Sequence, residues 1–144
     1  MNILIYEHQK DLIDLFKIEL NEYNVTVCDN IIDIKNHIIH EHVDFVIAEL
    51  KDQNDSPLGI ELMKTISFSK ISIPVIITAS KSDLSHAVES MKLGATDFIT
   101  KKEKQSDTIT TIKEIINKNI STKRLAKKSI NPKKNILFID DDVQ

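Results

Sequence analysis

The sequence predicts an α/β domain, a parallel sheet of five strands with helices on both faces. Three observations predict it. Five short apolar runs alternate with five stretches in which apolar residues recur at helical spacing. The runs lack a polar–apolar alternation, as strands covered on both faces should. Each run is separated from the next by a helical stretch, the crossover that parallel neighbours require.

The elements follow in order. Ile3–Tyr6 reads as a buried strand, and Lys10 to Asn21 as a helix with Leu12, Ile13, Phe16 and Leu20 on one side. Val25–Cys28 is a second strand. Asn30 is a good N-cap for a helix carrying Ile31, Ile34 and Ile38. Phe45–Leu50 is a third strand, followed by a polar turn over Lys51–Pro57. A helix from about Gly59 to Ser67 uses Leu62, Met63 and Ile66, and Pro74–Thr78 is the fourth strand. Ser82 is expected to cap a helix with Ala87, Val88 and Met91, which stops at Gly94 as a C′ residue. Phe98–Thr100 is the fifth strand. The last helix shows Ile109, Ile112, Ile116 and Ile120.

Composition narrows the function. The chain has 144 residues, 41% hydrophobic and 28% charged, which is a globular balance sized for one domain. Its apolar stretches fall far short of the roughly 20 residues that span a bilayer. Met1–Tyr6 lacks the basic start and small-residue cleavage site of a secretory signal, so a cytoplasmic location without membrane contact is expected. Cys28 is the only cysteine; no internal disulfide is possible, and a buried, inert thiol is expected. Glycine occurs only at Gly59 and Gly94, which excludes a GxGxxG dinucleotide loop and a phosphate-cradling P-loop. No Ser–His–Asp order supports hydrolase chemistry, and no enzyme is expected.

The net charge of −3 is uneven. Residues 121–134 carry six basic side chains and no acid, while residues 1–120 carry 13 basic against 19 acidic. An acidic body argues against nucleic acid as the main ligand. The basic run reads as a helix end or linker, because cations are favoured at a helix C-terminus. His37, His40 and His42 lie near the end of the second helix with no fixed acidic or cysteine partner, and read as a solvated helix end.

In a parallel sheet the ligand site lies at the carboxyl ends of the strands, beside the switch in strand order. Those ends hold Glu7 and His8, Asp29, Glu49 to Asp52, Thr78 and Ala79, and Lys101. Residues 135–142, Asn-Ile-Leu-Phe-Ile-Asp-Asp-Asp, repeat the opening Asn2-Ile-Leu-Ile-Tyr-Glu-His8. An apolar strand closing in an acidic cluster is how a second copy of the domain would begin. The expected organisation is therefore a domain over 1–120, a basic linker over 121–134, and the first strand of a truncated second unit over 135–144.

The five-fold pattern, with Ile73-Pro-Val-Ile-Ile-Thr-Ala79 and Leu93-Gly-Ala-Thr-Asp-Phe-Ile-Thr-Lys101, resembles the receiver domain of bacterial-type two-component response regulators. The resemblance implies a flavodoxin-like, doubly wound sheet of order 2-1-3-4-5 with five helices. In that family an acidic pair and an aspartate hold Mg²⁺, and the aspartate takes a phosphoryl group from a histidine kinase. A Ser/Thr and a Lys bind the phosphoryl oxygens, and an aromatic on the fifth strand changes rotamer. A hard cation needs oxygen ligands, and developing oxyanion charge needs a cation and a donor. By resemblance Thr78 and Lys101 take the phosphoryl-contact positions and Phe98 that of the switch aromatic. Glu7 and His8 stand at the acidic pair, Glu49 at the acceptor, and Asp140 and Asp141 at the acidic pair of the second unit. Each also has a plain reading: Lys101 as a structural ion pair, Thr78 as a strand residue, Phe98 as core. Their joint placement at strand ends carries the functional one.

The departures cluster in one pocket. Glu49 is one methylene longer than aspartate and displaces its carboxylate by about 1.5 Å. A misplacement near 1 Å can cost on the order of 100-fold in rate. His8 removes a carboxylate from a site where Mg²⁺ prefers oxygen. The loop from Glu49 to Gly59 is longer than the family usually has, and Lys102 replaces its common proline. The expectation is a pseudo-receiver that phosphorylates poorly or not at all, with Mg²⁺ binding weakened. It would act through a histidine kinase, a second receiver or an output domain of the same protein. A homodimer through the fourth helix, fifth strand and fifth helix is implied by resemblance. Two alternatives stay open: a working phosphoacceptor with Mg²⁺, and a regulatory domain holding a transition metal at Glu7, His8, Glu49 and the Lys51 backbone.

Overall fold

The computed structural model describes residues 1–129, the side chains of residues 81, 82, 84 and 121–129 excepted. The order is β1 (Asn2–Tyr6), α1 (Lys10–Glu19), β2 (Asn24–Cys28), α2 (Ile31–His40), β3 (Phe45–Glu49), α3 (Leu58–Phe68), β4 (Val75–Ala79), a 3₁₀ turn (Lys81–His86), α4 (Ala87–Lys92), β5 (Asp97–Thr100) and α5 (Gln105–Ser129). All four strand pairings are parallel, in the order β2-β1-β3-β4-β5. This is the expected flavodoxin-like sheet. The chain forms one compact unit over residues 1–110, and a second begins at residue 111.

Burial explains the apolar runs. β3 and β4 are buried at every residue. Leu4 and Tyr6 of β1 share a cluster with Ile34 and Ile38 of α2 and with Leu62, Met63 and Ile66 of α3. Ile3, Ile5 and Ile47, with Leu12 and Phe16 of α1, are buried outside that cluster, so the sheet is covered on both faces. β2 departs from expectation. Its Val25 and Val27 are only half-buried and Thr26 is exposed, because β2 is an edge strand. In α5, Ile109, Ile112 and Ile116 are buried and Ile120 is half-buried.

Two helix ends follow the sequence. Asn30 accepts a hydrogen bond from the Asp33 amide at 2.9 Å, which satisfies an orphan donor of α2. Gly94 takes φ +104° after α4, and the Gly94 and Ala95 amides bond back to Met91 and Ser90 at 3.1 Å each. That paired return is a Schellman cap, and its left-handed residue favours glycine. The start of α4 does not follow. The helix begins at Ala87 with His86 at its N-cap, and the chain before it is a 3₁₀ turn, so Ser82 does not cap α4. Val88 and Met91, apolar residues of this helix, are 63% and 46% exposed.

Candidate functional site

The sheet brings four of the expected residues together. Glu49 closes β3 and lies in register with Thr78 on β4. The ladder continues past both neighbours of β4: the Leu50 amide donates to Thr78 O at 2.8 Å, and the Lys101 amide to Ala79 O at 2.7 Å. Glu7 directly follows β1, the strand paired with β3. Gly59 fixes the far side. Its amide donates to Leu50 O at 2.8 Å, and a Cβ there would sit 2.9 Å from Leu50 Cα and 3.0 Å from Glu49 O. The start of α3 therefore lies directly on the backbone that carries Glu49.

Lys101 is the centre of the charges. Its ammonium donates to Glu49 Oε2 at 2.8 Å, to Glu7 Oε2 at 3.0 Å and to Gln9 Oε1 at 3.0 Å. An ammonium has three donors, so all are used. The other oxygen of Glu49 pairs with His8 Nδ1. Glu7 Oε2 also accepts the His8 and Gln9 amides at 3.2 Å each. Glu7 is 2% exposed and Glu49 8%. Burial pushes the Glu7 carboxyl above its ordinary range; Lys101 opposes that shift, and the nearby Glu49 charge adds to it. The same acidic surroundings act on the buried Tyr6 hydroxyl, pushed up to about 12, chiefly by burial and then by Asp52.

His8, Gln9, Glu49 and Lys101 border a cavity of about 240 Å³, with Lys51 and Asp83 among its other lining residues. Thr78 does not line it. It is 1% exposed, and its hydroxyl has no partner, one of two such buried side-chain atoms among the described residues. Phe98 is half-buried on β5, packed against the hydrophobic cluster. Lys51 points its ammonium at Asp83, 2.7 Å away. Asp29 lies outside this cavity, in a neighbouring one with Tyr6 and Asp52. Asp140 and Asp141 lie outside the described residues. No cis peptide occurs among the described residues, as Lys102 in place of proline leads one to expect.

Glu7, His8 and Glu49 each offer a ligand atom, all within 4.8 Å of one another. The second histidine group does not converge. His37 pairs with Glu41 at 2.7 Å and His42 with Asp44 at 2.8 Å, so two of the three histidines have acidic partners after all. Cys28 is buried, and burial pushes its thiol up to about 11, away from reactivity. Sequence reasoning missed Gln9 and Asp83. Neither carries a spacing signal, since both act through the fold.

A five-stranded parallel sheet that gathers two carboxylates and a lysine at its strand ends is the frame of an α/β signalling module. The model of the response regulator receiver domain family matches residues 3–113, and the chain belongs to that family, as the receiver domain of a two-component response regulator. It is 46% identical over 43 residues to the transcriptional regulatory protein FixJ of Rhizobium meliloti (strain 1021), a match spanning 30% of this chain and 21% of that protein. A response regulator receiver protein from Pseudoalteromonas atlantica superposes with TM-score 0.66 at 27% identity, covering 83% of this chain and 99% of that one. The non-phosphorylated HemR receiver domain from Leptospira biflexa shares the fold, with TM-score 0.67 at 20% identity over 80% and 93% of the two chains. Such domains are signalling modules that work with histidine kinases and output domains. No helix among the described residues is long and apolar enough to cross a membrane.

Proposed function

We propose that this receiver is a pseudo-receiver, whose pocket rests in a self-paired state and which acts by protein–protein contact rather than by a phosphorylation cycle. Glu49 stands at the phosphoacceptor position, Glu7 and His8 at the acidic pair, Thr78 and Lys101 at the phosphoryl contacts, and Phe98 at the switch aromatic. One observation carries the reading: the three donors of Lys101 are taken by Glu7, Gln9 and Glu49. An incoming phosphoryl oxygen must break a buried ion pair to reach that lysine, which is costly in a low-dielectric site.

The donor set also fits Mg²⁺ poorly. Mg²⁺ demands oxygen ligands in near-octahedral array, whereas one of the three converging groups is an imidazole and both carboxylates already bind Lys101. The same three ligand atoms favour a second reading, a site for an ion that accepts imidazole, such as Zn²⁺ or Mn²⁺. The unpartnered Thr78 hydroxyl favours the working phosphoacceptor instead, since it leaves a donor for an oxygen ligand.

The proposal extends to organisation. Residues 1–120 are the receiver, 121–134 a basic helix end and linker into which α5 runs as far as Ser129, and 135–144 the opening strand of a second receiver, whose Asp140 and Asp141 would form its acidic pair. The second receiver would take phosphate. The first would contact the kinase, that receiver, an output domain or a second copy, with exposed Val88 and Met91 of α4 supporting contact through that helix. The test is an amide-resolved NMR titration with Mg²⁺ and beryllofluoride, a phosphoryl mimic. No response up to millimolar Mg²⁺ is expected. Saturating shifts at Glu49, Thr78, Lys101 and Phe98 would sink the proposal.

A further inference from the structure

The second lysine of the cavity makes a contact that none of the roles above uses. Lys51 follows Glu49 by two residues and donates to Asp83 Oδ1 at 2.7 Å, with Asp55 Oδ1 farther off at 3.6 Å. Asp83 is only 6% exposed, and its other oxygen accepts the Ser80 hydroxyl at 2.8 Å. Lys51 and Asp83 both line the cavity beside Glu49 and Lys101, so the pair ties the β3–α3 loop to the lead into α4.

That lead is where local sequence and structure disagree. Ser82 followed by Asp83 reads as a helix start, a capping serine with an acid in the first turn. The structure instead has a 3₁₀ turn over Lys81–His86, in which Asp83 leaves helical dihedrals at φ −103° and ψ 17°. The departure falls on the residue whose carboxylate is held from another loop. Lys51 is the chief cause that holds the Asp83 carboxyl below its usual range, with the Ser80 hydroxyl helping. Without Lys51 the carboxylate would be buried with one hydroxyl for company, an arrangement that favours its exit to water.

We propose that the Lys51–Asp83 pair is a strap that keeps the lead into α4 in its 3₁₀ form, and that freeing Asp83 lets α4 begin a turn earlier. The strap ties the pocket mouth to the helix that presents Val88 and Met91 to solvent. It operates whether or not the pocket accepts a phosphoryl group. The same change would straighten the helix that the local sequence already favours, so no new interaction has to be supplied.

The experiment is NMR on the full chain, without Mg²⁺ or phosphodonor, comparing the parent with Lys51→Met and Lys51→Arg. In the parent the Asp83 amide bonds to Ser80 O at 3.1 Å. In Lys51→Met that amide should exchange about tenfold faster, the scale of one lost charge-assisted hydrogen bond. Residues 83–86 should take α-helical carbon shifts, and Lys51→Arg should restore the parent pattern. Parent-like shifts and exchange in Lys51→Met overturn the strap. So does the same change in Lys51→Arg, because the cation would then not be what holds Asp83. Lys51 sits on a loop with its side chain partly in solvent, so both variants should fold.

Discussion

Two lysines face one cavity, and they hold it in different ways. Lys101 follows a sheet strand, is 16% exposed along its side chain, and has three acceptors, two of them carboxylates. Lys51 is on a loop, is 26% exposed, and has one close carboxylate. The partners differ more than the lysines do. Glu7 is rooted directly after β1, a strand with a neighbour on each side, and is 2% exposed. Asp83 sits in a short 3₁₀ turn and can leave with it. An ion pair whose partner cannot move stores its loss as instability; one whose partner can move converts its loss into a change of shape.

The largest expected effect is therefore Lys101→Met. It strands Glu7 and Glu49 side by side in a buried site, and should cost about 3–5 kcal/mol in urea unfolding. A loss below about 1 kcal/mol, the range of exposed pairs, would show that the pocket is wetter than its burial indicates and would erase the contrast.

Gly59→Ala comes next. The added Cβ meets backbone atoms at 2.9 and 3.0 Å, and backbone cannot rotate away. A cost of about 1–3 kcal/mol is expected, as for an overpacked core. The Glu49 amide resonance should move with it, because Glu49 O is one of the atoms struck. A stable variant with an unmoved Glu49 would show that α3 does not position the pocket.

Much of this site was legible and part was not, for physical reasons. Glu7, His8, Glu49, Thr78 and Lys101 could be placed because apolar runs locate strand ends, and a parallel sheet gathers its strand ends at one edge. An ion pair at Lys101 could be read as well, but its full set of partners could not, since Gln9 reaches Lys101 across 92 residues. Ser82 carried a local helix-start signal that the structure does not follow, and the next residue, Asp83, is held by an ion pair from 32 residues away in sequence. Val88 and Met91 matched a helical stripe, but a helix of six residues is too short for periodicity to tell a buried face from an exposed one. Val25 and Val27 read like the central strands because edge position is a property of topology and leaves no mark on a five-residue run. The partner of His37 was readable, one helical turn on at Glu41.

A smaller effect has a diagnostic sign. The folded state raises the Glu7 carboxyl above its ordinary 4.5, so the stability Glu7 contributes is present below that value and lost as pH rises through its folded value. Gln at this position does not titrate, and its side-chain oxygen can still accept Lys101 and the two amides. Glu7→Gln should thus gain stability relative to the parent as pH climbs from 4.5 toward neutrality, with little difference at pH 4. Paired unfolding curves across that range check it. A difference that is flat or falls with pH would mean that Lys101 outweighs burial at Glu7.

Lys51→Met should have the smallest energetic effect, and the comparison turns on its being small. If Asp83 leaves with its turn, the carboxylate regains water and the residual cost is the small one of an exposed, screened pair. The helical lead that forms in exchange offsets some of it, because Ser82 then caps a longer α4. Stability nearly unchanged alongside altered spectra at residues 82–86 is the joint signature. A loss as large as that of Lys101→Met, with the 3₁₀ turn intact, would show Asp83 trapped as Glu7 is. The two lysines would then be two versions of one rigid clamp, and neither loop would be free to move without unfolding the strand ends.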